Sequence, residues 1–198
     1  MIYKVGERLF AVILFILLLP VLTILYIVVR LDSSGPFLFR QRRIGKNKKP
    51  FAIYKIRTMK KGADRLRKSL LKQNEADGPV FKIRNDPRFT RVGKFLSHSA
   101  LDETPQLINI IRGEMALIGP RPLPPSEAKQ VPKKYDARFS VLPGMTSLWV
   151  AKGAHQLTFT EWMEADMTYI KNHSLRWDVY ILWKTLLTVG RQVLYTSR

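Results

Sequence analysis

The sequence predicts an α+β protein in which one apolar N-terminal helix precedes a small, helix-rich domain with a short β-hairpin. Three observations predict this fold class: an uncharged apolar run, two strand-like segments around a turn, and an apolar stripe at helical spacing that ends at a glycine. The chain has 198 residues, enough for one core but too few for two full enzyme domains. We therefore expect a membrane segment at 1–31 and one domain at 32–198.

The apolar run covers residues 9–29 and is flanked by Arg8 and Arg30. Its length is about the 20 residues that a membrane-spanning helix needs. Pro20 lies in its middle, where the missing N–H and the ring predict a bend. Because the segment after the run is densely basic, the positive-inside tendency draws both ends to the cytoplasmic side. The residues leave two alternatives: a re-entrant helix that turns at Pro20, or a straight span with its N-terminus outside.

The charge and the cysteine content of the chain favour some classes of function and exclude others. The chain carries 34 Lys and Arg against 15 Asp and Glu, a formal charge of +19. Such a surface attracts polyanions or anionic lipid head groups, and the apolar run favours the membrane. No cysteine is present, which excludes disulfides, Cys-zinc sites and thiol nucleophiles.

The elements of the domain follow from local patterns. Residues 37–41 and 51–57 read as strands around a turn, which predicts the hairpin. Residues 60–77 are charged with a sparse apolar stripe and are compatible with a surface helix. The region 126–138 carries polar helix signals. Residues 177–195 form an apolar, aromatic-bearing helix that suits either the core or the bilayer interface.

A further helix is predicted over 102–112, and it begins with two acids, Asp102 and Glu103. Pro105 fixes this start, because proline is tolerated only where its missing N–H is one of the unpaired donors of a helix. Asp102 is then the N-cap and Glu103 the first helical residue. The simplest interpretation is that the acids cap the helix and complement its dipole.

A second interpretation is phosphoryl transfer, which needs carboxylates for a divalent metal, cations for phosphate oxygens, and backbone N–H groups. Three basic segments supply the cations. They are Lys55 and Arg57 with the hydroxyl of Thr58 at the end of the second strand, Arg84 and Arg88 on a tight turn, and Arg121 in the stiff loop from Gly119 to Pro122. Each alone is equally typical of an exposed charge.

The order of these motifs resembles the bacterial sugar transferase family, the monotopic phosphoglycosyl transferases. The resemblance is carried by SGPFLFRQRRIG (34–45), FAIYKIRTM (51–59), NDPRFTRVGKFL (85–96), LDETPQLINIIRGEMALIGPRPL (101–123), PGMTSLW (143–149) and DMTYIKNHSLRWD (166–178). It implies transfer of a sugar 1-phosphate from a nucleotide diphosphate sugar, with UDP as the expected nucleotide, to polyprenyl phosphate. It also implies a re-entrant helix at 1–31, broken at Pro20, and a location on the cytoplasmic face of the bacterial inner membrane.

The resemblance also implies roles for individual residues. Asp102 is the expected nucleophile, Glu103 positions metal or acts as acid or base, and both are the expected Mg²⁺ ligands. The expected substrate-binding residues are Lys55, Arg57, Thr58, Arg84, Arg88, Gln106, Pro120, Arg121, Pro122 and Asp166. The implied partners are the nucleotide sugar, polyprenyl phosphate and membrane lipid, with no nucleic acid, while a homodimer stays an open alternative.

Several positions depart from the family pattern. Ser97 and Leu142 stand where cations are common, and Ser147, Val150 and Ala154 replace the usual Gly, Gln and Arg. Two rival functions follow: a basic, membrane-tethered binding module with the acids as plain caps, and a scaffold of the same fold without turnover.

Overall fold

The computed structural model describes residues 2–154 and 157–196 and has the expected α+β composition. The α-helices are α1 (Ile2–Asp32), α2 (Arg91–His98), α3 (Leu107–Ile111), α4 (Pro125–Ala128), α5 (Leu148–Ala151), α6 (Phe159–Asn172) and α7 (Leu175–Thr196). The strands are β1 (Leu38–Ile44), β2 (Pro50–Ile56), β3 (Ala116–Ile118) and β4 (Gly144–Thr146). Short 3₁₀ helices cover Lys46–Lys48, Ala63–Leu66, Leu71–Gln73, Leu101–Gln106 and Lys133–Phe139.

Strands β1 and β2 form the predicted antiparallel hairpin, paired from Leu38 opposite Ile56 to Ile44 opposite Pro50. The turn between them uses positive φ angles at Asn47 (54°) and Lys48 (58°). The pairing carries Lys55 near the end of β2 toward the 3₁₀ helix that holds Asp102. The hairpin prediction is therefore confirmed.

Helix α1 is long and apolar enough to cross a membrane: within its stretch Lys4–Asp32, an 18-residue window has a mean hydropathy of 3.2, and only 6% of that window is buried. It lies against the domain at both ends. In its first half, Ala11 packs into a cluster with Ile53 and Leu107. In its second half, Val29 packs with Ile56 and Leu96. One face of α1 is thus covered by the domain along the helix, while the other is apolar and exposed.

Polar contacts fix the two ends of α1 to the domain as well. Near the first end, the backbone N–H of Leu117 donates to the Glu7 carboxylate. At the other end, the Val92 N–H donates to Asp32 Oδ2 at 3.2 Å. The ends of one continuous 31-residue helix therefore contact the same domain.

Two helix predictions are corrected by the structure. The segment 60–77 contains two 3₁₀ helices and no α-helix, since its stripe has little to bury: Leu66 and Leu71 are 54% and 56% exposed. The segment 126–138 is divided by Pro132 between α4 and a 3₁₀ helix, because proline cannot continue a preceding helix.

A second, parallel pair of strands holds the loop that carries Arg121. Strand β3 pairs with β4 through Ala116 opposite Gly144 and Ile118 opposite Thr146. Just beyond β3, the backbones of Gly119 and Gly144 approach so closely that a Cβ on Gly144 would lie 2.1 Å from the Gly119 nitrogen. Glycine is required there because no side chain has room.

Helix α6 begins with a capping box, in which the Thr158 hydroxyl accepts from the Glu161 N–H and the Glu161 carboxylate accepts from the Thr158 N–H. Helix α7 packs through Ile181, which is fully buried, while Val179 and Trp183 on its outer side are 62% and 60% exposed. Between residues 177 and 191, the apolar sequence of α7 thus has one buried face and one exposed apolar face.

Candidate active site

Asp102 and Glu103 lie on the 3₁₀ helix Leu101–Gln106. The expectation that Asp102 is the N-cap of an α-helix is wrong: the cap position is Ala100, whose φ is 57°, and no side chain caps this helix. The α-helix α3 begins only at Leu107. Pro105 does not decide between the two helix types, because its missing N–H is tolerated in the first turn of either. The acids are therefore not occupied as caps.

Lys55 joins the two carboxylates. Its Nζ lies 2.7 Å from Glu103 Oε1 and 3.6 Å from Asp102 Oδ2. Asp102 is only 6% exposed. Two acids adjacent in sequence thus converge on one lysine from the end of β2, and the pair forms a charged centre rather than a solvated helix end.

Arg121 supplies the second cation of this centre. Its Nη2 lies 2.8 Å from Glu103 Oε1, the same oxygen that accepts from Lys55. Glu103 is therefore held by two cations, while Asp102 is held only loosely by one. This asymmetry assigns different tasks to the two acids.

The loop of Arg121 is held by two guanidinium groups from other elements. Arg43 on β1 donates through Nη1 to the Pro122 carbonyl at 3.0 Å. Arg138 donates through Nη2 to the Arg121 carbonyl at 3.0 Å, and it also pairs with Asp166 at 2.8 Å. Consecutive carbonyls of the loop are thus fixed from two sides, which directs the Arg121 side chain onto Glu103.

The two acids differ in pKa. Burial raises the pKa of Asp102 to about 6, although Lys55 acts against this shift. Burial also opposes the charge of Glu103, but Arg121 and Lys55 together outweigh it and hold its pKa well below the ordinary value. At pH 7 a carboxyl of pKa about 6 is ionised in about 90% of molecules. Asp102 is thus a charged but poorly solvated carboxylate, which suits a nucleophile.

The acids also fit a Mg²⁺ ion. Mg²⁺ is commonly held by one or two carboxylates, with substrate phosphates and water completing its shell. Among the described residues, the polar contact of the Asp102 carboxylate is Lys55 at 3.6 Å, so lone pairs remain for a cation. No cluster of three or more His, Cys, Asp or Glu residues that could hold a metal occurs in the described ranges. Two adjacent carboxylates are a donor set typical of a Mg²⁺ ion that also binds substrate phosphates.

Other predicted binding residues lie outside this centre. Arg57 donates to the carbonyls of Val29, Ser33 and Pro36, which ties the end of α1 to the hairpin. Arg88 forms a buried ion pair with Asp86 at 2.6 Å. These contacts show that both arginines stabilise the fold. Their roles in substrate binding stay predictions.

The remaining candidates have varied surroundings. Arg84 is exposed, and the Thr58 carbonyl accepts from the Thr90 N–H at 3.0 Å. The Pro120 carbonyl accepts from the Gly144 N–H at 3.0 Å. Gln106 is 2% exposed, and its Nε2 has no acceptor among the described residues. Gln106 therefore keeps a buried donor available next to the acids.

Asp166 is fully enclosed in its pair with Arg138, and burial raises its pKa to about 6. Through Arg138 it is connected to the Arg121 loop, and its substrate role stays a prediction. Sequence reasoning missed Arg138 and Arg43. The alternation of side chains in a strand could have indicated Arg43, because Gln41 and Arg43 share a face and form a hydrogen bond at 2.5 Å.

Three departures from the family pattern have structural explanations. Ser147, in place of the usual glycine, caps α5 by accepting from the Val150 N–H at 3.3 Å. Val150 and Ala154 pack against the apolar cluster around Trp149 and Trp162. At positions 150 and 154, apolar side chains that pack against this cluster thus replace the usual polar residues. Nothing in the structure explains Ser97 or Leu142.

We predict that Arg138→Met destabilises the protein in a pH-dependent way. The change leaves Asp166 buried without its cation, which costs about 3–5 kcal/mol of unfolding free energy while the carboxylate is charged. Since the pKa of Asp166 is already raised to about 6 and rises further without Arg138, the acid takes up a proton as pH falls and the penalty shrinks. Thermal melting in detergent at pH 8 and at pH 5 measures the loss of stability and its decrease at the lower pH.

The double variant Arg138→Met, Asp166→Asn is the matched control, because it carries no buried charge at this position. Its melting temperature should lie above that of Arg138→Met at pH 8, and the two should converge at pH 5. Equal losses for Arg138→Met at both pH values would contradict the prediction.

The sequence matches known proteins along most of its length. The family model for bacterial sugar transferases matches residues 1–192. The chain is 36% identical over 194 residues to the UDP-glucose:undecaprenyl-phosphate glucose-1-phosphate transferase of Caulobacter vibrioides, covering 92% of this chain and 67% of that protein. It is 35% identical over 193 residues to the exopolysaccharide production protein ExoY of Sinorhizobium fredii, covering 93% and 85%.

Other relatives are longer. The galactosyl transferase CpsE of Streptococcus agalactiae is 37% identical over 158 residues, which is 79% of this chain but 35% of that protein. The chain thus spans about a third of the length of several relatives that it matches. Because the family model and the relatives both cover nearly all of this sequence, the chain belongs to the bacterial sugar transferase family.

Proposed function

We propose that the chain transfers a sugar 1-phosphate from a UDP-sugar to undecaprenyl phosphate, releasing UMP and forming the undecaprenyl diphosphate sugar. The observation that carries this proposal is the buried Asp102–Glu103 pair, held by Lys55 and Arg121 on a 3₁₀ turn. The printed names of relatives include UDP-galactose and UDP-glucose as donors and undecaprenyl phosphate as acceptor. The product would begin the assembly of a bacterial polysaccharide.

In the proposed first step, an Asp102 oxygen attacks the β-phosphorus of the donor. A bond forms between that oxygen and phosphorus, and the bond from phosphorus to the bridging oxygen breaks. UMP leaves with the electron pair, and the sugar phosphate stays on Asp102 as an acyl phosphate. In the second step, a phosphate oxygen of undecaprenyl phosphate attacks the same phosphorus and frees the Asp102 carboxylate.

The surrounding charges match this chemistry. A carboxylate that approaches a diphosphate meets repulsion, which Lys55 and Arg121 reduce. Glu103, held in its charged form, keeps both cations at the reacting centre. Asp102 and Glu103 are the residues that would hold a Mg²⁺ ion, which would supply further charge neutralisation.

We also propose that the domain lies on the cytoplasmic face of the inner membrane and that α1 enters and leaves the bilayer on that face. The contacts of Glu7 and Asp32 with one domain support this re-entrant arrangement, because a helix that crosses the bilayer would carry one end away from the domain. Pro20 lies between these contacts, where a bend would be needed.

We expect both ends of α1 to be labelled from the same side of the membrane. The natural chain has no cysteine, so single substitutions Lys4→Cys and Ser34→Cys give unambiguous sites. Both should react with a membrane-impermeant maleimide in inside-out vesicles and resist it in right-side-out preparations.

Lys72→Cys, exposed on the domain, reports the domain's side in the same assay. Reaction of Lys4→Cys on the side opposite to Lys72→Cys would show a straight span and would refute the re-entrant arrangement.

The proposed activity is tested with the purified full chain, Mg²⁺, undecaprenyl phosphate and a panel of UDP-sugars. We expect UMP release with at least one donor. Release of no UMP from any donor would favour the scaffold without turnover, and salt-sensitive lipid binding that survives Asp102→Asn would then identify a binding module.

A further inference from the structure

The segment between residues 74 and 82 is a loop closed by one side chain. Asn74 Oδ1 accepts from the Lys82 N–H at 2.7 Å, and Asn74 Nδ2 donates to the Val80 carbonyl at 2.8 Å. The Lys82 carbonyl in turn accepts from the Glu75 N–H at 2.9 Å. The backbone of Lys82 is therefore fixed on both sides although it belongs to no helix or strand.

The tip of this loop is fixed to the start of α6. Asp77 Oδ2 accepts from the Phe159 N–H at 3.1 Å. Gly78, with φ of 65°, lies so close to Phe159 that an added Cβ would be 2.8 Å from that side chain. The loop is thus held at its base by Asn74 and at its tip by α6, and it presents Lys82 in a defined position.

The Lys82 side chain extends to the candidate active site. Its Nζ lies 5.7 Å from the ring centroid of Trp149, and Arg121 Cζ lies 5.8 Å from the same centroid. Two cations from distant parts of the chain therefore meet over one indole. Burial and the nearby Arg121 lower the pKa of Lys82 to about 8, so most of it stays charged at pH 7. A third cation thus stands beside the pair that holds Glu103.

Trp149 adds an unused hydrogen-bond donor. The residue is 8% exposed, it stacks on Trp162 with centroids 4.2 Å apart, and its Nε1 has no acceptor among the described residues. A buried N–H without an acceptor costs free energy. Trp162 Nε1 and Gln106 Nε2 are also buried donors without an acceptor among the described residues. Buried donors beside clustered cations are typical of a site whose acceptor oxygens arrive with a ligand.

We propose that Lys82 is a further substrate-binding residue, which together with Arg121 and the indole N–H of Trp149 binds the phosphate oxygens of the nucleoside diphosphate donor. This inference rests on the proposed function. A lysine serves as a compact positive charge for phosphate, whereas Arg121 also pairs with Glu103. Lys82 thus adds positive charge on the side of Trp149, next to the two cations that hold Glu103.

The test compares Lys82→Met with Lys72→Met, an exposed lysine of the same segment, in the full chain in detergent. The probe is UDP, whose dissociation constant is measured by calorimetry, and kcat and KM are measured with the accepted UDP-sugar. Lys82→Met should weaken UDP binding and raise KM by about tenfold or more. Lys82→Arg should stay within about threefold of the natural chain and Lys72→Met within about twofold, since each keeps a cation at the site.

Unchanged UDP binding in Lys82→Met, in a natural chain that releases UMP, would overturn this inference and leave the proposed function standing. If the natural chain neither binds UDP nor releases UMP, both fall together. If Lys82→Met does not melt cooperatively, the same measurements are made with Lys82→Gln, which retains a polar side chain of similar length.

Discussion

Asp102→Asn should lose turnover almost completely, with UMP release falling by at least about 10³-fold. The amide has the shape of the acid but lacks the negative oxygen that attacks phosphorus in the proposed first step, so no acyl phosphate could form. Because the carboxylate is buried and its pKa is already raised, its replacement should leave the melting temperature unchanged or higher. UMP release under Mg²⁺ and UDP-sugar, together with a melting curve, measures both effects.

Asp136→Asn is the matched control, since Asp136 is an acid with 44% of its side chain exposed in a pair with Lys48. It should retain turnover within about twofold, as exposed ion pairs contribute little. Turnover by Asp102→Asn within tenfold of the natural chain would remove the nucleophile from this account and return the acids to a structural role.

Lys55→Met should lower kcat/KM by about 10²–10³-fold. The lysine neutralises both acids, at 2.7 Å from Glu103 and 3.6 Å from Asp102. Without it, two buried carboxylates face each other and the incoming diphosphate, so one acid takes up a proton and repulsion of the donor grows. Steady-state kinetics across UDP-sugar concentrations measure the loss.

Lys48→Met removes an exposed lysine of the same hairpin and should change kcat/KM by less than about twofold. Lys55→Arg should recover part of the lost activity, because it keeps the charge but changes the geometry. Full activity in Lys55→Met would contradict the proposed role of the lysine as the shared counter-charge.

The hairpin and the apolar helix could be predicted because both depend on local pattern. Segments 37–41 and 51–57 are rich in strand-forming residues and flank a glycine-containing turn, and residues 9–29 are uncharged. The helix type at Asp102 could not be predicted in the same way, since Pro105 is compatible with either an α-helical start or a 3₁₀ turn. The structure shows the 3₁₀ turn, and with it the convergence of both acids on Lys55.

The members of the candidate site that lie in the quoted motifs could be predicted from the sequence. The residues that contact the site only through another residue could not. Lys55, Asp102, Glu103 and Arg121 lie in the quoted motifs, and the structure brings them together. Arg138 acts on a loop carbonyl from a 3₁₀ helix 17 residues away, a contact that leaves no periodic signal. A basic chain also offers many candidates for each such contact, so charge alone does not select Arg43 or Lys82.

Intact-protein and peptide mass spectrometry directly tests the proposed covalent attachment of the sugar phosphate to Asp102. The full chain is incubated with Mg²⁺ and an accepted UDP-sugar in the absence of undecaprenyl phosphate, and is then quenched in acid. We predict one equivalent of UMP, a mass increase equal to the sugar phosphate on the peptide with Asp102, and loss of that mass when undecaprenyl phosphate is added. UMP release only when the acceptor is present, with no adduct on Asp102, would contradict the two-step mechanism.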